Sequence, residues 1–223
     1  MPGRESPPGN LGRHQSYRRL NMLKKHTILL FVLSLFTLPE LGWGDDFDLR
    51  YTRWGMTQKE VIQSEEKMDP VEVTANTVTY KTQIMGKNVE LYYVFVDDKL
   101  IGAVYHLDEI YLNSNHFRNT YTRFKSALTK KYGQPAEERT DWINDTYKNL
   151  QEKWGLALSL GHVEYASSWC TQSTIIECSL REANHYVLCL IKYWSIEYSQ
   201  LLEEIMQEDK PISIKPIEIM DPL

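Results

Sequence analysis

Between residues 113 and 132, the large apolar side chains fall at the spacing of one helix face. Phe117, Tyr121, Phe124, Leu128 and Tyr132 recur at intervals of four, three, four and four, with Thr120 and Ala127 beside them. A stripe of this kind has to be buried. Asn113 or Ser114 can cap its start, and Gly133 followed by Pro135 stops it. Lys125, Lys130 and Lys131 lie toward its C-terminal end, where they complement the helix dipole and otherwise form a solvated face. The flanks decide what the stripe can pack on. Both are strand-forming, so the predicted class is α+β: antiparallel sheet or sheets packed against two main helices, with a further C-terminal helix.

The first helix opens at Trp54-Gly55-Met56-Thr57. Thr57 and Glu60 stand at the two positions of a capping box, and Met56 and Val61 at those of a hydrophobic staple. Asp69-Pro70 closes the segment. Residues 71–84 predict one strand or two. Gly86-Lys87-Asn88 reads as a turn. Residues 89–96 and 100–107 flank Asp97-Asp98-Lys99 and predict a hairpin. Both faces of residues 89–96 are apolar, which predicts a central strand or a face held back for a partner. Residues 137–153 are polar and read as a loop or irregular extended segment. Residues 156–165, 168–170, 174–182 and 186–194 predict further strands. A two-residue turn at Ala183-Asn184 would pair Leu180 with Val187, Cys178 with Cys189, Ile176 with Ile191 and Thr174 with Tyr193. Residues 196–208 predict an amphipathic helix, with Leu201, Leu202, Ile205 and Met206 on one side, and an extended Pro-interrupted tail follows. There is no exact internal repeat. The domain is expected over residues 45–195, with the helix and tail over 196–223.

The beginning of the chain carries a different signal. Residues 22–26 are basic, residues 28–38 form an unbroken apolar and Ser/Thr run, Pro39 follows, and Gly42 and Gly44 supply small side chains for cleavage before Asp45. This is the layout of a secretory signal peptide spanning Met22 to Gly44. The run is too short for a hydrocarbon layer that needs about 20 apolar residues. The alternative is an uncleaved N-terminal membrane anchor. Residues 1–21 are Pro/Gly/Arg-rich and are expected to be a mis-assigned start or a disordered leader. The expected location is periplasmic or secreted. The formal charge of −5 conceals an uneven distribution. Residues 1–26 hold six Lys/Arg against one acid, leaving the exported portion near −9 and a poor match for nucleic acid or an anionic membrane surface.

Three cysteines, Cys170, Cys178 and Cys189, would meet an oxidising compartment. The register above sets Cys178 opposite Cys189, so they are the candidate disulfide, and the competing reading is two small buried hydrophobes. Their spacing matches no zinc pattern. Phosphate-binding, dinucleotide-binding, nucleophile-elbow and zincin motifs are absent. Ser159 and His162 would point to opposite faces of one strand. His106 and His116 pair with no acid by sequence, and Asp97-Asp98 reads as a solvated hairpin tip. No catalytic, metal or cofactor residue is assigned. The chain has 14 Tyr and six Trp. Tyr92, Tyr105, Trp169 and Trp194 are the candidate interaction face, since aromatics serve sheet cores first and binding faces second.

The opening Trp54-Gly-Met-Thr-x-x-Glu-Val61 resembles the first helix of small exported bacterial proteins and, more remotely, the start of SmpA/OmlA-type outer-membrane assembly lipoproteins. The segment ending Lys131-Tyr-Gly-x-Pro135 and the later Trp169, Thr174, Ile176 and Tyr193-Trp194-Ser195 are similar to uncharacterised exported α+β proteins. The lipid-bearing Cys of the lipoproteins is missing. The resemblance implies an exported fold and brings no catalytic residue. The expected function is a non-enzymatic, envelope-associated module with a protein partner. A secreted hydrolase with a site assembled from distant segments, or a small-ligand-binding periplasmic protein, is the alternative.

Overall fold

The computed structural model describes residues 47–199. The leader, the signal segment and nearly all of the anticipated C-terminal helix and tail lie outside the described residues.

Eight strands form one antiparallel sheet. They are β1 (Glu72–Val73), β2 (Thr77–Ile84), β3 (Lys87–Val96), β4 (Lys99–Leu107), β5 (Glu137–Trp142), β6 (Val163–Cys170), β7 (Thr174–Ala183) and β8 (Tyr186–Ser195). Their spatial order is β1-β2-β3-β4-β8-β7-β6-β5. Each half is a four-stranded meander, and the last strands of the two halves meet at the centre. A topological repeat therefore exists that no sequence repeat announces. The helices are α1 (Gln58–Ser64), α2 (Asn115–Tyr132) and α3 (Trp154–Ser159), preceded by short 3-10 turns at Asp145–Tyr147 and Gln151–Lys153.

Helix α1 begins as its sequence predicts. The Thr57 side chain accepts from the Glu60 amide while the Glu60 carboxylate accepts from the Thr57 amide at 2.8 Å. A second acceptor comes from the β3–β4 turn, where Asp98 Oδ1 takes the Gln58 amide at 3.0 Å. The acidic hairpin tip thus serves as part of a helix cap. Helix α2 carries its expected stripe, with Phe117, Tyr121, Phe124 and Leu128 buried. Asn113, not Ser114, supplies the side-chain acceptor at its start, taking the Asn115 amide at 3.0 Å. Gly133 ends it at φ +87°, a conformation that a Cβ would strain.

The β2–β3, β3–β4 and β7–β8 hairpins use the same device. Ile84 pairs with Lys87, Val96 with Lys99, and Ala183 with Tyr186. The two linking residues of each have positive φ: Met85-Gly86, Asp97-Asp98 and Asn184-His185. These are the backbone angles of type I′ turns, whose twist matches that of the strands. The β7–β8 turn is therefore one residue later than Ala183-Asn184. Leu180 pairs with Cys189 and Cys178 with Ile191, two residues from the expected partners. A two-residue slip keeps every side chain on its expected face, so hydrophobic alternation alone cannot detect it.

Two other expectations change. Residues 137–142 form strand β5, whose sequence EERTDW is exposed apart from half-buried Trp142. It is a sheet edge, and its charges protect that edge from further pairing. Residues 154–159 form α3, where a strand was expected from residue 156. A short apolar run does not by itself distinguish the two.

One buried cluster joins the helices to a single sheet face. It includes Val61, Phe117, Phe124, Leu128 and Leu158 with Tyr80, Leu91, Tyr93, Tyr105, Cys178, Leu180 and Ile191. Within it, Glu65 is 2% exposed. Arg50 donates to Glu65 twice, at 2.6 and 2.9 Å, and the Tyr93 hydroxyl donates to it at 2.5 Å. This fork fixes the segment before α1 onto the core.

Candidate functional site

The opposite sheet face is built from the alternate residues of the same strands. No described helix contributes to it, and none of its side chains belongs to the cluster on the helix-bearing side. Thr79, Val94, Val104, His106, Leu190 and Ser179 on it are nonetheless buried, while Lys81, Ile175 and Cys170 are exposed. Three cross-strand rows define it. One runs Thr79, Tyr92, Val104, Lys192, Glu177, Ser168. The next runs Lys81, Glu90, His106, Leu190, Ser179, Ala166. The third runs Thr77, Val94, Gly102, Trp194, Ile175, Cys170.

The middle row concentrates titratable groups. Lys81 Nζ lies 3.6 Å from Glu90 and 3.4 Å from Asp108. The Tyr92 hydroxyl donates to Glu90. His106 Nδ1 lies 3.8 Å from Glu90, too far for a hydrogen bond, and is buried without a partner. Burial holds the His106 pKa below its ordinary value, against the opposing pull of Glu90 and Asp108. Burial and then the bond to Glu90 push the Tyr92 phenol upward. On the neighbouring strands Lys192 reaches Glu177 at 3.0 Å; burial pushes the Glu177 carboxyl up, and Lys192, Ser179 and Arg139 together hold it below its usual range. The face therefore carries neutral His beside paired charges. No hydroxyl or thiol among the described residues is hydrogen-bonded to His106, so a nucleophile–base pair is not assembled there.

The four aromatic residues of the expected interaction face are separated. Tyr92 and Trp194 stand on this second face and are half-buried. Tyr105 and Trp169 lie in the closed core, 6% and 2% exposed. Tyr105 packs edge-on to Tyr193, and burial pushes its phenol up to about 12. The Trp169 indole donates to the Gly133 carbonyl at 2.9 Å, tying β6 to the end of α2. Strand alternation puts Tyr105 on the core side because it is an odd number of residues from His106, and Trp169 because it pairs with core residue Ile176.

The candidate disulfide residues are both buried, and all three cysteines are free thiols. Ser159 donates to the Gly155 carbonyl and also contacts Ser114, while His162 stacks on Tyr147. They make no dyad. No cluster of His, Cys, Asp and Glu able to hold a metal occurs among the described residues. The Glu90–His106 pairing was missed in the sequence although its signal was present. Counting back from a two-residue Asp97-Asp98 turn, with one residue allowed for the bulge between Val94 and Phe95, sets residue 90 opposite residue 106.

Fold and site together define an α+β protein with one antiparallel sheet, helices joined to one face, and an aromatic and charge-paired second face. Comparison with protein-family models, with curated proteins and with solved structures finds no match. Among the described residues no helix is long and apolar enough to cross a membrane.

Proposed function

We propose that this is an exported, non-enzymatic module of the cell envelope that binds a protein partner through the second face of its sheet. The observation that carries this reading is that face, to which no described helix contributes and which places Tyr92, Trp194 and Ile175 among paired charges. Its side chains that reach solvent, among them Lys81, Tyr92, Trp194, Ile175 and Cys170, lie around a buried centre of Val94, Val104, His106, Leu190 and Ser179. Aromatic groups surrounded by satisfied charges suit such a surface, because the charges give register and the rings supply contact area. Export is the reading of residues 22–44. The hydrolase reading lacks, among the described residues, a nucleophile hydrogen-bonded to His106.

The test uses two substitutions at exposed apolar side chains. Ile175→Glu places a charge on the second sheet face, where Ile175 is 39% exposed. Leu160→Glu places one beyond α3, where Leu160 is 51% exposed. The wild-type chain is purified from its native envelope and its co-purifying proteins are quantified by mass spectrometry. The reading expects a stoichiometric partner that is lost with Ile175→Glu and kept with Leu160→Glu. A partner held equally by both variants, or none at all, overturns it.

A further inference from the structure

On the helix-bearing side, the flank of α2 and the β5 edge leave a cleft. Its cavity volume is about 170 Å³, and Arg118, Thr122 and Lys125 face Glu138, Thr140 and Tyr165 across it. The geometry arises from two periods. Residues 118, 122 and 125 share one helical flank, beside the buried stripe of Phe117, Tyr121, Phe124 and Leu128. Residues 138 and 140 alternate along β5, and Thr140 pairs directly with Tyr165 of β6. Helix α2 is centred on β7 and β8, which leaves the outer strands uncovered there.

Two groups in this cleft lack the partners their chemistry calls for. Arg118 has no carboxylate within ion-pair distance among the described residues. One of its N–H groups donates to the Asn115 side chain at 3.2 Å. Its guanidinium lies 4.8 Å from the Trp154 ring centre and 5.8 Å from that of Tyr165. Stacking of this kind fixes the plane of the guanidinium and leaves its remaining donors free to form a fork. The second group is the Tyr165 hydroxyl, which is buried and makes no well-aligned hydrogen bond, and whose one charged neighbour of consequence is the Arg118 guanidinium, which opposes the upward push of burial on the phenol. A buried hydroxyl left unpaired costs about 1–3 kcal/mol, and a ligand oxygen would recover it. Lys125 is already held by Glu138 at 2.6 Å, so the local charge is set by Arg118.

We infer that this cleft binds a small oxyanion, a carboxylate or a phosphate, with Arg118 and the Tyr165 hydroxyl as donors. The positive guanidinium supplies charge and a planar fork. The volume restricts the ligand to an inorganic oxyanion or a short carboxylate, since drug-sized molecules occupy roughly 300–1,000 Å³. The Lys125–Glu138 pair borders the cleft and gives Glu138 the means to exclude larger anions by like-charge repulsion. The site is separate from the second sheet face and stands whether or not that face binds a partner.

Inorganic phosphate and acetate are titrated separately into the full chain at constant ionic strength, with chloride as the balancing anion. Binding is followed by tryptophan fluorescence, to which Trp154 beside Arg118 responds, and by the side-chain Nε resonance of Arg118. Saturable binding with a dissociation constant of about 1 mM or tighter is expected for at least one anion. Arg118→Gln and Tyr165→Phe should each weaken it about tenfold, the loss of one charge-assisted hydrogen bond. Arg123→Gln, five residues on and on a different flank of α2, where Arg123 reaches the Met85 carbonyl, should leave it unchanged. Tighter binding of acetate assigns a carboxylate, and tighter binding of phosphate assigns a phosphate. Absence of saturable binding by either anion overturns the inference, as does unchanged affinity in Tyr165→Phe with its circular dichroism intact.

Discussion

The indole of Trp194 lies on the bare Cα of Gly102. The two residues are directly paired across β4 and β8, and a Cβ at position 102 would stand 2.0 Å from the Trp194 ring. Gly102 is therefore the floor on which one aromatic group of the second face rests. Gly102→Ala should cost about 1–3 kcal/mol, the range for overpacking, in urea unfolding. In a Trp194→Ala background the same change should cost much less, because the colliding ring is gone. A double-mutant cycle with no coupling would refute the contact.

On the covered face, Arg50 and Glu65 form a two-pronged pair in which Glu65 is almost fully buried and Arg50 is about a quarter exposed. The bond to Glu65 is the main cause that raises the Arg50 pKa. Removing one partner strands the other. Arg50→Met should destabilise by about 3 kcal/mol, the low end for breaking a buried pair, because it leaves a buried carboxylate with only Tyr93. Arg50→Met with Glu65→Leu should recover most of that loss. Chemical denaturation of the two variants measures both quantities.

Legibility in the sequence follows burial. The α2 stripe, the Thr57–Glu60 capping box and the faces of β7 and β8 were readable because each rests on a periodicity or a local hydrogen bond. The register of β7 and β8 was off by two because a slip of that size leaves the same side chains inward, and Leu180 accepts Cys189 as well as Val187. Strand β5 was invisible because an exposed edge needs no apolar alternation, so EERTDW looks like a loop. Of the four aromatic residues proposed for one face, two were misplaced. Trp169 and Tyr105 have the same composition signal as Trp194 and Tyr92, and only the parity of their pairings separates them. The Arg118–Tyr165 cleft could not be read at all, since it depends on where α2 crosses the sheet.

His106 gives the fold a pH dependence of determinable sign. Its charged and titratable neighbours on the second face are Glu90, Lys81, Tyr92 and Asp108, and burial holds its pKa below the ordinary 6.5. The unfolded chain then takes up a proton near 6.5 while the folded chain resists. Stability is complete above that pH and falls as pH drops toward the folded pKa, with a slope of up to about 1.4 kcal/mol per pH unit. Glu177 and Glu109 act in the same direction, but only as pH falls below about 4.5, since their folded pKa values are depressed from there. His106→Leu should therefore flatten the stability profile just below about pH 6.5 and leave the more acidic fall in place. Urea unfolding across that range in wild type and variant checks it, and an unchanged slope would show that His106 is solvated in the folded state.

The cysteines can be ranked by reactivity, since the thiolate is the reacting species. Cys170 is exposed, whereas burial pushes the Cys189 thiol up to about 12 and Cys178 well above its ordinary value. Cys178 and Cys189 are diagonal neighbours, because Cys189 faces Leu180 and Cys178 faces Ile191. Diagonal Cα atoms in such a ladder lie about 7–8 Å apart, at or beyond the separation of about 7 Å past which a disulfide requires backbone movement. The native chain should therefore release one equivalent of chromophore from an aromatic disulfide reagent at pH 8, and Cys170→Ser should remove it. In denaturant all three thiols should react. If only one reacts after unfolding without reductant, Cys178 and Cys189 are bridged, and the β7–β8 register must then shift by two residues to bring them face to face.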